Sequence, residues 1–244
     1  MKTKNYVLLF IVLLTFGACK KDPVTKPVKF TSTTYQSLNT YNNTGMPNNL
    51  LKDTISASML EFIDTTLPNG VNLPKRHPEL FSSSAIADIA IKQKSTVYIT
   101  FVTQDGGQKN SIAFYTYPTN QPPTSAKDIQ LITYVFPNAG SQTPLQPGDK
   151  ANLGSFNAGT SIGFVLMQNA WNSSTETLNN DAVHFTSNDA LNPEVDPNLK
   201  KHAVLINYAP ENKIIVGFED QDRTSDACDN DFNDVTFYTT IVLQ

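Results

Sequence analysis

The sequence predicts a mainly β fold: an antiparallel β-sandwich or jelly-roll-like domain carrying one short N-terminal amphipathic helix. Three observations point there. After Ala85 the chain alternates β-branched or aromatic runs with turn signals, giving roughly eight strand-like segments. The 15 prolines among 244 residues, with few helix formers, leave little room for long helices. Once a short leader is set aside, about 225 residues remain, which suits one large β domain.

The leader occupies residues 1–18. Lys2 and Lys4 precede an apolar run of 11 residues, 6–16, too short for the roughly 20 residues that span a bilayer. Small residues, Gly17 and Ala18, then stand directly before Cys19. This resembles a bacterial lipoprotein signal, which implies that Cys19 becomes the lipidated first residue of the mature chain. Lys20-Lys21-Asp22 resembles the charged tag of surface-exposed lipoproteins of the Bacteroidetes type. The expected organisation is a signal peptide at 1–18, a lipidated Cys19 with a flexible tether at 19–47, and a single domain at 48–244 ending in an acidic hairpin. The implied location is the outer membrane, lipid-anchored and surface-exposed, with the membrane itself as a partner through Cys19.

Cysteine and charge agree with that setting. With lipid on Cys19, Cys228 has no partner, so stability must come from core burial and metal rather than a disulfide. Removing residues 1–18 takes away Lys2 and Lys4, moving the formal charge from -4 to -6 (-4 minus 2). A mildly acidic chain without a basic run argues against a nucleic-acid partner.

Within the domain, Ile55, Met59, Phe62 and Ile63 fall at helical spacing over 53–66. Asp53 or Thr54 stands as the cap and Pro68-Asn69-Gly70 as the stop. Residues 73–80 carry two prolines and read as irregular, with His77 in a turn. Strand-like runs follow at 96–102, 111–117, 129–136, 160–167, 183–186 and 203–208, with Gln104-Asp105-Gly106-Gly107 as a hairpin turn. His184 and His202, in or beside strands, read as packing residues. The chain ends in two runs, 213–216 and 235–242, joined by an acidic loop.

That loop carries the chemistry. Between Glu219 and Asp234, 16 residues hold seven carboxylates, and Arg223 is the only compensating charge. Carboxylates this dense repel unless neutralised, and a hard divalent cation, calcium above all, is the natural partner. If the segment is extended, Asp229, Asp231 and Asn233 project to one side, and Glu219, Asp220 and Asp234 close the shell from across the hairpin. The expected metal ligands are therefore Glu219, Asp220, Asp229, Asp231, Asn233 and Asp234, with Asp222 and Asp226 as bystanders. An EF-hand is rejected: its glycine falls at Asp234 and its bidentate Glu at Thr240, and the flanks read as strands. Cys228 among carboxylates is no nucleophile, since negative neighbours raise a thiol pKa.

The strings Val216-Gly217-Phe218-Glu219-Asp220 and Asp229-x-Asp231-Phe232-Asn233-Asp234-Val235 resemble the signature of a bacterial domain of unknown function, the family numbered 4114, called the LruC-type domain. Thr100-Phe101-Val102, residues 110–117, Phe136-Pro137-Asn138-Ala139, residues 159–164, Leu67-Pro68 and His77-Pro78 extend the resemblance over about 50–244. Gln104-Asp105-Gly106-Gly107-Gln108 departs from the family's acidic-glycine-alanine-glycine-aromatic turn. The resemblance implies a β-rich, calcium-binding module of surface and secreted proteins without catalysis. The expected function is thus a non-enzymatic surface module for interaction or architecture, with a surface protein or glycan as its partner. The alternative is a carbohydrate-binding module using Trp171, Tyr115 or Tyr117 as a stacking platform. A hydrolase would need two carboxylates facing across a cleft, and crowding on one turn does not fit that.

Overall fold

In the computed structural model, which describes residues 26–244, two six-stranded sheets lie face to face. The expected signal segment and Cys19 lie outside the described residues. The strands in chain order begin with β1 (Thr34–Ser37), β2 (Leu51–Lys52), β3 (Ile89–Ala90), β4 (Ser95–Gln104), β5 (Ser111–Pro118), β6 (Leu131–Phe136) and β7 (Asp149–Phe156). They continue with β8 (Thr160–Gln168), β9 (Trp171–Asn172), β10 (Thr177–Leu178), β11 (Val183–Thr186), β12 (Ala203–Tyr208), β13 (Lys213–Phe218) and β14 (Val235–Leu243). One sheet runs β1-β6-β5-β8-β11, with β3 also on β8; the other runs β12-β13-β14-β4-β7-β2. Every pairing is antiparallel except β1 on β6.

Strand periodicity explains the sandwich. Alternate residues Val97, Ile99 and Phe101 of β4 join Val216 and Phe218 of β13 and Phe237 of β14 in one core. They meet Ile112 and Phe114 of β5 and Ile162, Phe164 and Leu166 of β8 from the facing sheet. The outer faces are covered too. Ala113, Tyr115, Val165 and Met167 pack under Phe30, Ala126 and Leu191. Val102, Val204, Ile206 and Tyr238 pack under Met59 and Ile63 of helix α1 (Ala57–Thr66). Burial on both faces is why β8 reads as a continuous apolar run rather than an alternating one.

Three local expectations are corrected. The helix starts later than residue 53, because the Asp53 carboxylate accepts from Lys150 Nζ at 3.1 Å and its N–H bonds Gly148 O at 2.8 Å. Ser56 caps instead, accepting from Met59 N at 3.2 Å. Residues 73–80 are not irregular: Leu73–Arg76 form a single turn, α2, and Pro78–Phe81 a 3₁₀ turn. Their prolines stand in the first turn, where no N–H is needed. The expected tether over 19–47 is drawn into the domain from Val28 onward. Tyr35 pairs with Ile132 in β1–β6 and Phe30 is buried in the core cluster beneath that sheet, so apolar contacts override the polar composition.

The site's position follows from the register. Phe218 pairs with Val235 across β13 and β14, and Val235 pairs with Gln104 of β4. The 219–234 loop and the β4–β5 turn therefore emerge side by side at one end of the sheet.

Candidate metal centre

Glu219, Asp220 and Asp234 are buried and bring one carboxylate oxygen each within 4.8 Å of one another; Glu219, Asp229 and Asp231 do the same, with Asp229 exposed. The two groups share Glu219. Backbone and neutral donors hold them in place. Asp234 Oδ2 accepts from Asp220 N at 2.7 Å, and Asp220 Oδ2 accepts from Asn110 Nδ2 at 2.6 Å. Asp231 accepts from Gly70 N at 2.8 Å and Asn233 N at 3.2 Å, and Glu219 Oε1 from Gln221 N at 3.3 Å. Gln168 of the facing sheet donates Nε2 to Asp220 O at 2.7 Å. Above the cluster lies Gly106: a Cβ there would stand 2.6 Å from Asp220 Oδ2 and 2.9 Å from Asp234 Oδ1, so the turn closes only because it has none.

Glu219 is also fixed through its backbone. Its N–H donates to His202 O at 2.9 Å, and His202 Nδ1–H donates to Glu219 O at 3.0 Å. His202 Nε2 meets buried Glu194 Oε1 at 2.7 Å, and the ring stacks on Phe185 at 3.9 Å. This matches the packing role read from the sequence.

The charge is unpaid by side chains. Among the described residues no Lys or Arg forms an ion pair with these five carboxylates. Arg223 spends its donors elsewhere: Nε on Asn230 Oδ1 at 2.7 Å and a terminal nitrogen on Lys201 O at 3.0 Å, its guanidinium lying over the Phe232 ring. Burial, then mutual repulsion, pushes Asp234 up to about 9. Burial likewise raises Glu219, Asp220 and Asp231 above the usual carboxylate range, with neighbouring carboxylates adding to it. Two oxygens, Glu219 Oε2 and Asp220 Oδ1, are enclosed and accept no hydrogen bond from any described residue. Such a group costs about 1–3 kcal/mol, more if charged, unless something binds it. Zinc or copper would want His or thiolate. The sole thiol among the described residues, Cys228, is pushed above the ordinary range by burial and by Glu219. An all-oxygen donor set fits calcium.

The expected ligands do not all converge alike. Glu219, Asp220, Asp229, Asp231 and Asp234 are gathered, but the loop is not extended: Asn230 and Phe232 are left-handed, both at φ 61°. That breaks the two-residue alternation. Asn233 donates Nδ2 to Leu67 O at 3.4 Å, so its Oδ1 is the atom left to serve a cation. Asp222 caps Thr224 N at 2.9 Å and Asp226 is exposed, apart from both groups. Sequence reasoning missed the site roles of Gly70, Gly106, Asn110 and Gln168, which lie 52 or more positions from their partners; Gly70 read as a helix stop, Gly106-Gly107 as a hairpin turn and Asn110 as part of the family resemblance. Of the aromatic platform, Trp171 and Tyr115 are 3% and 2% exposed. Half-buried Tyr117 donates its hydroxyl to Asp88 at 2.7 Å.

Residues 156–241, a span that contains the whole acidic loop, match the model of a family described as a domain of unknown function, DUF4114. No curated protein and no solved structure matches the chain.

Proposed function

We propose that the chain is a non-enzymatic, lipid-anchored module of the cell surface whose β-sandwich is stabilised by calcium at the C-terminal hairpin. The observation that carries the metal reading is the pair of enclosed, unbonded oxygens, Glu219 Oε2 and Asp220 Oδ1, inside a cluster with which no Lys or Arg among the described residues forms an ion pair. Within each group of three, Glu219 with Asp220 and Asp234 and Glu219 with Asp229 and Asp231, the ligand atoms lie within 4.8 Å of one another. Glycosidase carboxylates stand about 5–9.5 Å apart across an open cleft, so enclosure and crowding favour coordination over acid–base work. Lipid on Cys19 rests on the small-residue-Cys junction after the apolar leader. Among the described residues no helix is long and apolar enough to cross a membrane. Burial of Trp171 and Tyr115 removes the expected stacking platform, so a surface-protein or architectural role is preferred to glycan binding.

Thermal unfolding with calcium, magnesium or excess chelator tests the metal reading, with Asp231→Ala and Asp234→Ala as controls. A ligand bound only by the folded state adds about 2.7 kcal/mol at 100 times its Kd. Calcium is expected to raise Tm where magnesium does not, and the rise should vanish in both variants. Superimposed curves in calcium and chelator would defeat the reading. For the anchor, Cys19→Ser should move the protein from the membrane to the soluble fraction.

A further inference from the structure

We propose that the loop holds two divalent cations, not one, bridged by the Glu219 carboxylate: an inner ion on Glu219, Asp220 and Asp234, and an outer ion on Glu219, Asp229 and Asp231. This rests on the calcium reading and goes beyond it in number, placement and accessibility.

The geometry separates the ligands. Oxygens bind calcium at about 2.3–2.6 Å, so two ligands of one ion stand no more than about 5 Å apart. The five carboxylates do not meet that limit as one set; they fall into two groups of three that have only Glu219 in common. Each group is held by its own part of the chain. Asn110, from the β4–β5 turn, fixes the inner Asp220, while Gly70, after α1, fixes the outer Asp231. The shared Glu219 has one oxygen bonded by Gln221 N and the other enclosed and unbonded. Asp220 Oδ1, in the inner group, is the second such oxygen. Charge points the same way. Five ionised carboxylates carry -5; one dication leaves -3 and two leave -1. Inner and outer differ in exposure: Asp220 and Asp234 are buried, whereas Asp229 is exposed, so the outer ion keeps water and leaves first.

Native mass spectrometry of the whole chain titrated with calcium reads the number directly. Two ions per chain are expected, falling to one in Asp229→Asn, whose exposed side chain keeps folding out of the comparison. Loading with manganese tests the bridge. Paired ions in two-metal sites sit about 3.5–4 Å apart, so the doubly loaded protein should give a spin-coupled electron paramagnetic resonance spectrum. One calcium per wild-type chain overturns the second ion while leaving calcium stabilisation intact, and none overturns both. Two calcium ions retained by Asp229→Asn, or two uncoupled manganese ions, overturn the assignment of ligands to a bridged pair.

Discussion

Phe232 holds the most demanding position in the acidic loop, its backbone left-handed at φ 61° and its ring fully buried against Phe81. A bulky residue rarely tolerates that region, and the neighbours explain how it is kept there. Phe232 O lies 2.3 Å from where a Cβ on Gly217 would be, so the strand must carry a glycine at that point for the loop to cross it. Gly217→Ala should therefore push Phe232 away and displace Asp231 with it. A loss of about 1–3 kcal/mol is expected from such overpacking, together with a smaller calcium-induced rise in Tm; denaturant melts with calcium and with chelator read both. An unchanged calcium response would show that the crossing does not position the ligands. In β11, His184 donates Nδ1–H to Ala182 O at 2.8 Å, accepts from the Tyr35 hydroxyl at 2.8 Å, and stacks on Phe30 at 4.3 Å. Burial holds it down at about 4 from the usual 6.5, against the Ala182 hydrogen bond, which favours the charged form. Between those pH values the unfolded chain binds a proton that the folded chain refuses, so stability falls as pH drops from 6.5 towards 4. The contribution is on the order of 3 kcal/mol. His184→Gln should flatten the pH dependence of unfolding in that window, and an unaltered slope would assign the acid sensitivity to other groups.

The helix is the element whose legibility was most uneven. Its apolar stripe was plain in the sequence, and Met59 and Ile63 are indeed its buried residues. Its start was not, because Asp53 and Ser56 are equally good caps locally and the choice was made by Lys150 and Gly148, nearly 100 positions away. The same limit applied to the hairpin: its strands and carboxylate-dense loop were readable, while the two left-handed residues, Asn230 and Phe232, cannot be seen in an Asp-x-Asp-x-Asn spacing. What the helix does for the loop was invisible for the same reason. Its C-terminal Leu67 O receives Asn233 Nδ2 at 3.4 Å, and Gly70, just beyond, bonds Asp231. Met59→Ala should cost about 2–5 kcal/mol as a cavity in a fully buried site. Since the helix end braces the loop, the variant should also bind calcium more weakly. Full retention of calcium affinity at lowered stability would mean that the brace is local to residues 67–70.

At the scale of the molecule, the acidic cluster joins what the core alone leaves separable. Asp220 is reached by Gln168 from the facing sheet and by Asn110 from the β4–β5 turn, while Asp234 receives the backbone of Asp220 and its carbonyl meets Asp105 and Gly106. One end of the sandwich thus converges on a few carboxylates that repel one another when nothing neutralises them. The β1–β6 edge of the facing sheet relies on apolar packing, with Phe30, Ile132 and Tyr134 beneath it. Removing calcium should then loosen the molecule unevenly rather than lower its stability everywhere. Amide hydrogen exchange measured with calcium and with chelator is expected to lose protection at residues 104–111, 216–220 and 231–237, while residues 131–136 exchange at unchanged rates. Protection falling equally in both regions would mean that the ion acts only through global unfolding. Protection unchanged in both would mean that the strand ends are held by their hydrogen bonds alone, and that the enclosed oxygens of Glu219 and Asp220 are tolerated as protonated groups instead of being bound.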